Sequence, residues 1–170
     1  NFFIKKIGNT VSELRRLLIC EKRLIDSSGF DNKIFLDDKE SHYLRRVLRL
    51  KKGDYITVVD GCGNQWKAYL ENANLIKLSS SFNNPLIRAF KPKKLSGLAV
   101  VLPKRGFEDV LRMSCEMGID IIQPLTSDRY VPNGNLESKY LRWKNIIREA
   151  LEQSERLWMP ELRETIGIKD

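Results

Sequence analysis

At 170 residues, 42% hydrophobic and 31% charged, the chain has the profile of one ordinary globular domain or two small ones, and is neither disordered nor membrane-spanning. A net charge of +8 points to a polyanionic partner, nucleic acid first, and no apolar run approaches the roughly 20 residues that cross a bilayer. Three scattered cysteines, Cys20, Cys62 and Cys115, without CxxC spacing, argue against a disulfide framework and structural zinc and fit a reducing cytosol. His42 is the single histidine, which leaves no catalytic triad and no multi-histidine metal site.

The first stretch, NFFIKKIGNTVSE, starts without Met and lacks the apolar core and cleavage site of a signal peptide. RLLIC (16–20) and KIFL (33–36) are short strand candidates. Asp37 and Asp38 offer helix N-caps, and Glu40, three residues after Asp37, completes a capping box. The helix they start is expected to run to about Leu50, with Leu44, Val47 and Leu48 inward and Gly53 as its left-handed terminator. YITVVD (55–60), an Asp60-Gly61 turn and QWKAYL (65–70) predict a hairpin, and NLIKLS (74–79) a further strand. Together these predict a β-rich module closing as a small barrel or curled sheet.

Residues 80–95 mix Ser, Asn, Pro and Lys and read as a linker. Beyond them the grammar changes. GLAVVLP is a continuous apolar strand of the kind buried on both faces. GFEDVLRMSCEMG predicts a helix with Phe107, Val110, Leu111 and Met117 inward and Gly118 ending it, and IDIIQP predicts a second apolar strand. That is a βαβ unit, followed by a helix from about Leu136 to Met159 that stops before Pro160.

Two helix faces carry groups with chemistry. On the first helix, His42, Arg45, Arg46 and Arg49 share a side, and Lys51 and Lys52 extend it. Guanidinium groups fork onto phosphates and stack on bases, so this row suits nucleic acid, and a solvated basic face is the plain alternative. On the last helix, Arg142, Asn145, Glu149, Glu152 and Arg156 form a polar stripe opposite Trp143, Ile147, Ala150, Leu151, Ser154 and Trp158. Glu152 and Arg156 are spaced as an i, i+4 pair, worth ~0.2–0.5 kcal/mol if exposed. If the stripe lines a cleft instead, carboxylate, amide and guanidinium converge there, enough to hold a planar heterocycle and move a proton. GxGxxG and P-loop signatures are missing, and Gly61-Cys62-Gly63 reads as a turn.

Taken in order, these parts resemble the ribosomal RNA small subunit methyltransferase E family. The resemblance rests on the run Arg15-Arg16-Leu17-Leu18-Ile19, then His42, Val47-Leu48-Arg49, Gly53-Asp54, Asp60-Gly61 and Gly63. It continues through Leu102-Pro103-Lys104, Glu108, Glu116-Met117-Gly118-Ile119, Ile122-Gln123-Pro124-Leu125, Asp128-Arg129 and Arg142-Trp143. GluAlaLeuGluGlnSerGluArg (149–156) and Pro160 complete it.

The resemblance implies a mixed α/β chain: a PUA-like RNA-binding β-barrel with an N-terminal extension over residues 1–85, then the N-terminal part of a SPOUT-type methyltransferase domain over 93–170. It implies transfer of a methyl group from S-adenosylmethionine to uracil N3 of small-subunit (16S) rRNA, by a cytoplasmic homodimer. Glu149 or Glu152 would take the N3 proton, with Gln153 and Arg156 holding the base or its phosphate. RNA would meet Arg15, Arg16, His42, Arg45, Arg46, Arg49, Lys51, Lys52, Lys104 and Arg129. Met113 stands where the family places Lys. The family's GPEGG loop and LRTETA-like segment are not among these 170 residues, so the cofactor site is expected mostly beyond Asp170, with the knot region missing. A non-catalytic RNA-binding remnant of the family and an unrelated basic anion-binding protein are the alternatives.

Overall fold

The computed structural model describes residues 15–127 and 135–169; the expected contacts of Arg129 lie outside them. Two sheets organise the chain. The first holds β1 (Arg16–Leu18), β2 (Lys33–Phe35), β3 (Tyr55–Val59), β4 (Asn64–Asn72), β5 (Leu75–Leu78) and β6 (Ile87–Arg88). Their order is β1-β3-β4-β5-β2, with β6 on β4. β1 runs parallel to β3, and the other pairs are antiparallel. Among the described residues β1 and β2 are open edges, so the expected barrel is a curled open sheet. β6 extends this sheet into the stretch that composition marks as linker.

The β3–β4 hairpin forms as its alternation predicts. Ile56, Val58, Trp66, Ala68 and Leu70 point inward and are buried with Leu17, Leu24, Ile34, Leu44, Ile76 and Leu78. Asp60 fixes the turn: its carboxylate accepts the backbone N–H groups of Cys62 and Asn64 and the Asn64 side-chain amide. Between β1 and β2 lies a short helix α1 (Glu21–Ser27) that hydrophobic periodicity does not reveal.

The first expected helix is real but shorter and bent. The Asp37–Glu40 capping box starts α2 (Asp38–His42), which widens into a π-helical turn over Tyr43–Val47. The Leu48 N–H accordingly reaches back five residues to the Tyr43 carbonyl. Leu44 stays buried, whereas Val47 is turned outward at 59% exposure. Arg49 (φ +52°), rather than Gly53, takes the left-handed residue that ends the helix.

The second sheet is wholly parallel. It contains β7 (Gly97–Val101), β8 (Ile121–Thr126), β9 (Glu161–Leu162) and β10 (Ile166–Gly167), with β9 and β10 placed one after the other along the far edge of β8. α3 (Phe107–Met117) and α4 (Leu136–Gln153) pack against it. Phe107 meets Trp143 edge-on at 4.7 Å between ring centroids. β7 is an edge strand with alternating half-exposed residues and is not buried on both faces. On α3, Phe107, Leu111, Ser114 and Cys115 are buried, while Met117 and Met113 face out. Gly118 (φ +79°) ends α3 as expected.

α4 begins where Asn135 caps it but ends at Gln153, six residues before the expected Met159. A tertiary contact explains the early stop. The buried Arg16 guanidinium donates to the carbonyls of Ser154 and Arg156, drawing the chain out of the helical path. The released segment then docks on the β3–β4 turn. The Gly63 N–H donates to the Leu157 carbonyl, and the Met159 N–H to the Gly61 carbonyl. Gly63 (φ +96°) is required here, because a Cβ would fall 2.6 Å from the Trp158 ring.

Candidate active-site cleft between the two sheets

β1 is an edge strand, and an unpaired edge leaves backbone groups to satisfy. Two α4 side chains do so. Glu152 Oε1 accepts the Leu18 N–H at 2.9 Å, and Arg148 Nη2 donates to the Leu18 carbonyl at 2.8 Å. Arg148 and Glu152 also pair with each other, Nε to Oε1 at 3.4 Å. The i, i+4 pair on this helix is therefore Arg148–Glu152 and not Glu152–Arg156, since Arg156 lies past the helix end.

A third charge closes the network. Glu40 is buried at 3% exposure and takes four donors. Arg23 binds it with both terminal nitrogens, at 2.7 and 2.9 Å; Arg148 Nη2 adds 3.1 Å and the Asp37 N–H 3.0 Å. Glu40 thus caps α2 and ties it to α4. The sequence marks its capping role through spacing, but nothing local marks its two arginine partners.

Beside this network a cavity of about 310 Å³ opens between the modules. α4 contributes Asn145, Arg148, Glu149, Glu152 and Gln153; Leu17, Asp37, Lys39, Glu40 and Tyr43 face them. Three of the four expected catalytic residues, Glu149, Glu152 and Gln153, therefore share one cleft. Glu149 and Gln153 are exposed to it, whereas Glu152 is buried. Arg156 does not join them. Its Nε donates to the Glu116 carbonyl at 3.1 Å, and its guanidinium lies over Gly118, where a Cβ would sit 2.3 Å from Cζ.

Burial raises the pKa of Glu152 above the ordinary 4.5, against the opposing pull of the Leu18 N–H and Arg148. The folded state then holds this proton more tightly than the unfolded one. Glu152 contributes stability that is fully present below pH 4.5 and lost as the pH rises through the raised value. Urea unfolding of wild type and Glu152→Gln should show the difference shifting in favour of Gln from acid to neutral pH. A pH-independent difference would contradict the burial of an ionised carboxylate here.

The expected RNA-contacting residues separate into groups. His42, Arg45, Arg46, Arg49, Lys51 and Lys52 are all exposed along α2 and the turns after it. Arg15 is half-buried beside β3, and Lys104 is exposed on the loop after β7. Arg16 is a correction: it is 3% exposed and committed to backbone carbonyls, so it serves the junction and is not part of the basic surface.

Comparison with known proteins matches these two modules. Residues 36–82 fit the RNA methyltransferase PUA domain, and residues 91–170 fit the RNA methyltransferase domain. A ribosomal RNA small subunit methyltransferase E from Synechocystis sp. is 36% identical over 151 residues, covering 85% of this chain and 46% of that protein. A putative methyltransferase from Legionella pneumophila, solved with bound S-adenosylmethionine, is similar with a TM-score of 0.66 and 25% identity. That match covers 79% of this chain and 57% of that one. A ribosomal RNA small subunit methyltransferase E from Neisseria gonorrhoeae shares the fold at a TM-score of 0.66 and 23% identity, over 91% of this chain and 63% of that one. The fold and its cleft are those of an RNA-modifying methyltransferase, a PUA module joined to an α/β domain. Within that class the chain belongs to the ribosomal RNA small subunit methyltransferase E family. It spans about half the length of the curated relatives it matches.

Proposed function

We propose that the chain is the RNA-binding and base-holding part of an enzyme that methylates uracil N3 in small-subunit rRNA, with S-adenosylmethionine as methyl donor. The observation that carries this reading is the cleft in which the methyltransferase-domain helix α4 sets Glu149 and Gln153 opposite Lys39 and Tyr43 of the PUA module. Uracil N3 carries a proton that must leave before the nitrogen can attack an electrophilic methyl group. It lies on the pairing edge, so the base must be unpaired or flipped out to enter.

In this reading Glu149 accepts the N3 proton and Gln153 holds the base edge. Glu152 is a positioning residue, held on Leu18 and Arg148. Arg156 contacts the base or its phosphate only if it leaves Glu116, so its role is the more demanding part of the proposal. S-adenosylmethionine supplies the methyl group when bound. The described residues do not by themselves form its site. The cavity at the carboxyl end of β7 sets Lys104, Arg105, Lys139 and Arg142 against Glu108 and Asp109, a balance unsuited to a sulfonium cation. A cytoplasmic homodimer belongs to the same proposal; no described helix is long and apolar enough to cross a membrane.

The test joins this chain to the C-terminal portion of the Synechocystis relative and follows label from S-adenosylmethionine into unmodified small subunits. Nucleoside mass spectrometry should find 3-methyluridine. Glu149→Gln should slow the transfer by roughly 10²–10⁴-fold with little change in RNA affinity. Label at another atom, or none, would overturn the uracil-N3 assignment.

A further inference from the structure

We propose that the outer face of the first sheet is a stacking platform for single-stranded RNA, built on Tyr55 and Tyr69. The inference rests on the RNA-binding reading above and assigns it a surface. Strand alternation sends Ile56, Val58, Trp66, Ala68 and Leu70 into the core, and it sends Tyr55, Lys67 and Tyr69 to the opposite face. Register then lines up one row across four strands: Tyr55 pairs with Tyr69, Tyr69 with Lys77, and Lys77 with Lys33. Two aromatic rings thus stand side by side, with lysines continuing the row.

The rings are not filling a core. Tyr55 is 47% exposed and Tyr69 39%, and Phe35 stands at 67% exposure on β2 of the same sheet. Lys67 lies over both rings, its Nζ 4.7 Å from the Tyr55 centroid and 5.4 Å from that of Tyr69. Lys77 and Lys33 are tethered to Asp31 and Glu71, while Lys67 rests on aromatic faces. An ammonium held over two rings is placed to meet a phosphate when a base takes over the aromatic surface. Stacked rings with interleaved cations are what sequence-tolerant single-strand binding requires.

The row also joins the basic surface. The Gly53 N–H donates to the Leu70 carbonyl, and the Leu70 N–H to the Asp54 carbonyl, at 2.8 and 2.9 Å. The Lys51-Lys52 turn is therefore fastened to the strand ends that carry Tyr55 and Tyr69. A strand of RNA tracking the exposed Arg45, Arg46, Arg49, Lys51 and Lys52 arrives at the two rings.

The experiment measures anisotropy of a short fluorescein-labelled single-stranded RNA of mixed sequence against the 170-residue chain at several KCl concentrations. Tyr55→Thr with Tyr69→Thr keeps strand propensity and removes the rings. The double variant should bind roughly tenfold or more weakly at every salt concentration, with an unchanged salt slope. Arg45→Ala with Arg46→Ala should instead flatten that slope by about one. Wild-type affinity in the tyrosine variant, with an unchanged urea midpoint, overturns the platform and leaves RNA binding intact. Failure of the wild-type chain to bind this RNA overturns the platform together with the reading beneath it.

Discussion

Glu40→Ala is expected to lower stability by about 3 kcal/mol, the low end of the range for breaking a buried ion pair. Glu40 itself is 3% exposed, but its partners Arg23 and Arg148 are 32% and 36% exposed at the side chain, so solvent recovers part of the loss. Removing the carboxylate also opens the capping box on the Asp37 N–H. Both effects act on the cleft wall, because Glu40 and Arg148 both line it. Urea midpoints read the loss, and a cycle with Arg148→Met separates the ion pair from the cap. If the cycle shows no coupling, the pair contributes nothing and only the cap matters.

Arg16→Met should cost about 3 kcal/mol and, more tellingly, loosen one module from the other. The guanidinium makes two charge-assisted bonds to the carbonyls of Ser154 and Arg156, each worth about 1.5–3 kcal/mol. Methionine fills much of the volume but leaves those carbonyls without a donor. Hydrogen exchange should then show β1 and the last turn of α4 opening before the β3–β4 hairpin. In the wild type these segments should exchange together. Uniform loss of protection across both sheets would show that Arg16 only stabilises globally.

Much of the local architecture is legible in the residues. Alternation across 55–70 yields the hairpin, the Asp37–Glu40 spacing yields the cap, and the apolar strand–helix–strand run yields the parallel unit. What is not legible depends on partners more than a hundred residues away. No pattern around residue 154 announces that an arginine at 16 will end α4 early, or that Arg148 and not Arg156 will meet Glu152. The α4 stripe lists the right cleft residues, Asn145, Glu149, Glu152 and Gln153, because helical periodicity is local. It cannot say which carboxylate is buried, since that depends on the free edge of β1. The row of tyrosines escapes notice for a related reason. Period two puts Tyr55 and Tyr69 outward, but only the pairing register sets them side by side.

The junction also fixes an order of events during synthesis. Leu18 and Val59 of the first sheet are buried in the second hydrophobic core, among Trp143, Ile147 and Leu151. The hairpin turn, too, is completed by Leu157 and Met159. While the chain emerges from the ribosome, the PUA module must wait with an apolar side uncovered until the last helix has been made. At about 5–20 residues per second, that exposure lasts for several seconds. The two modules look like separate units in their sheets, yet neither can finish folding without the other.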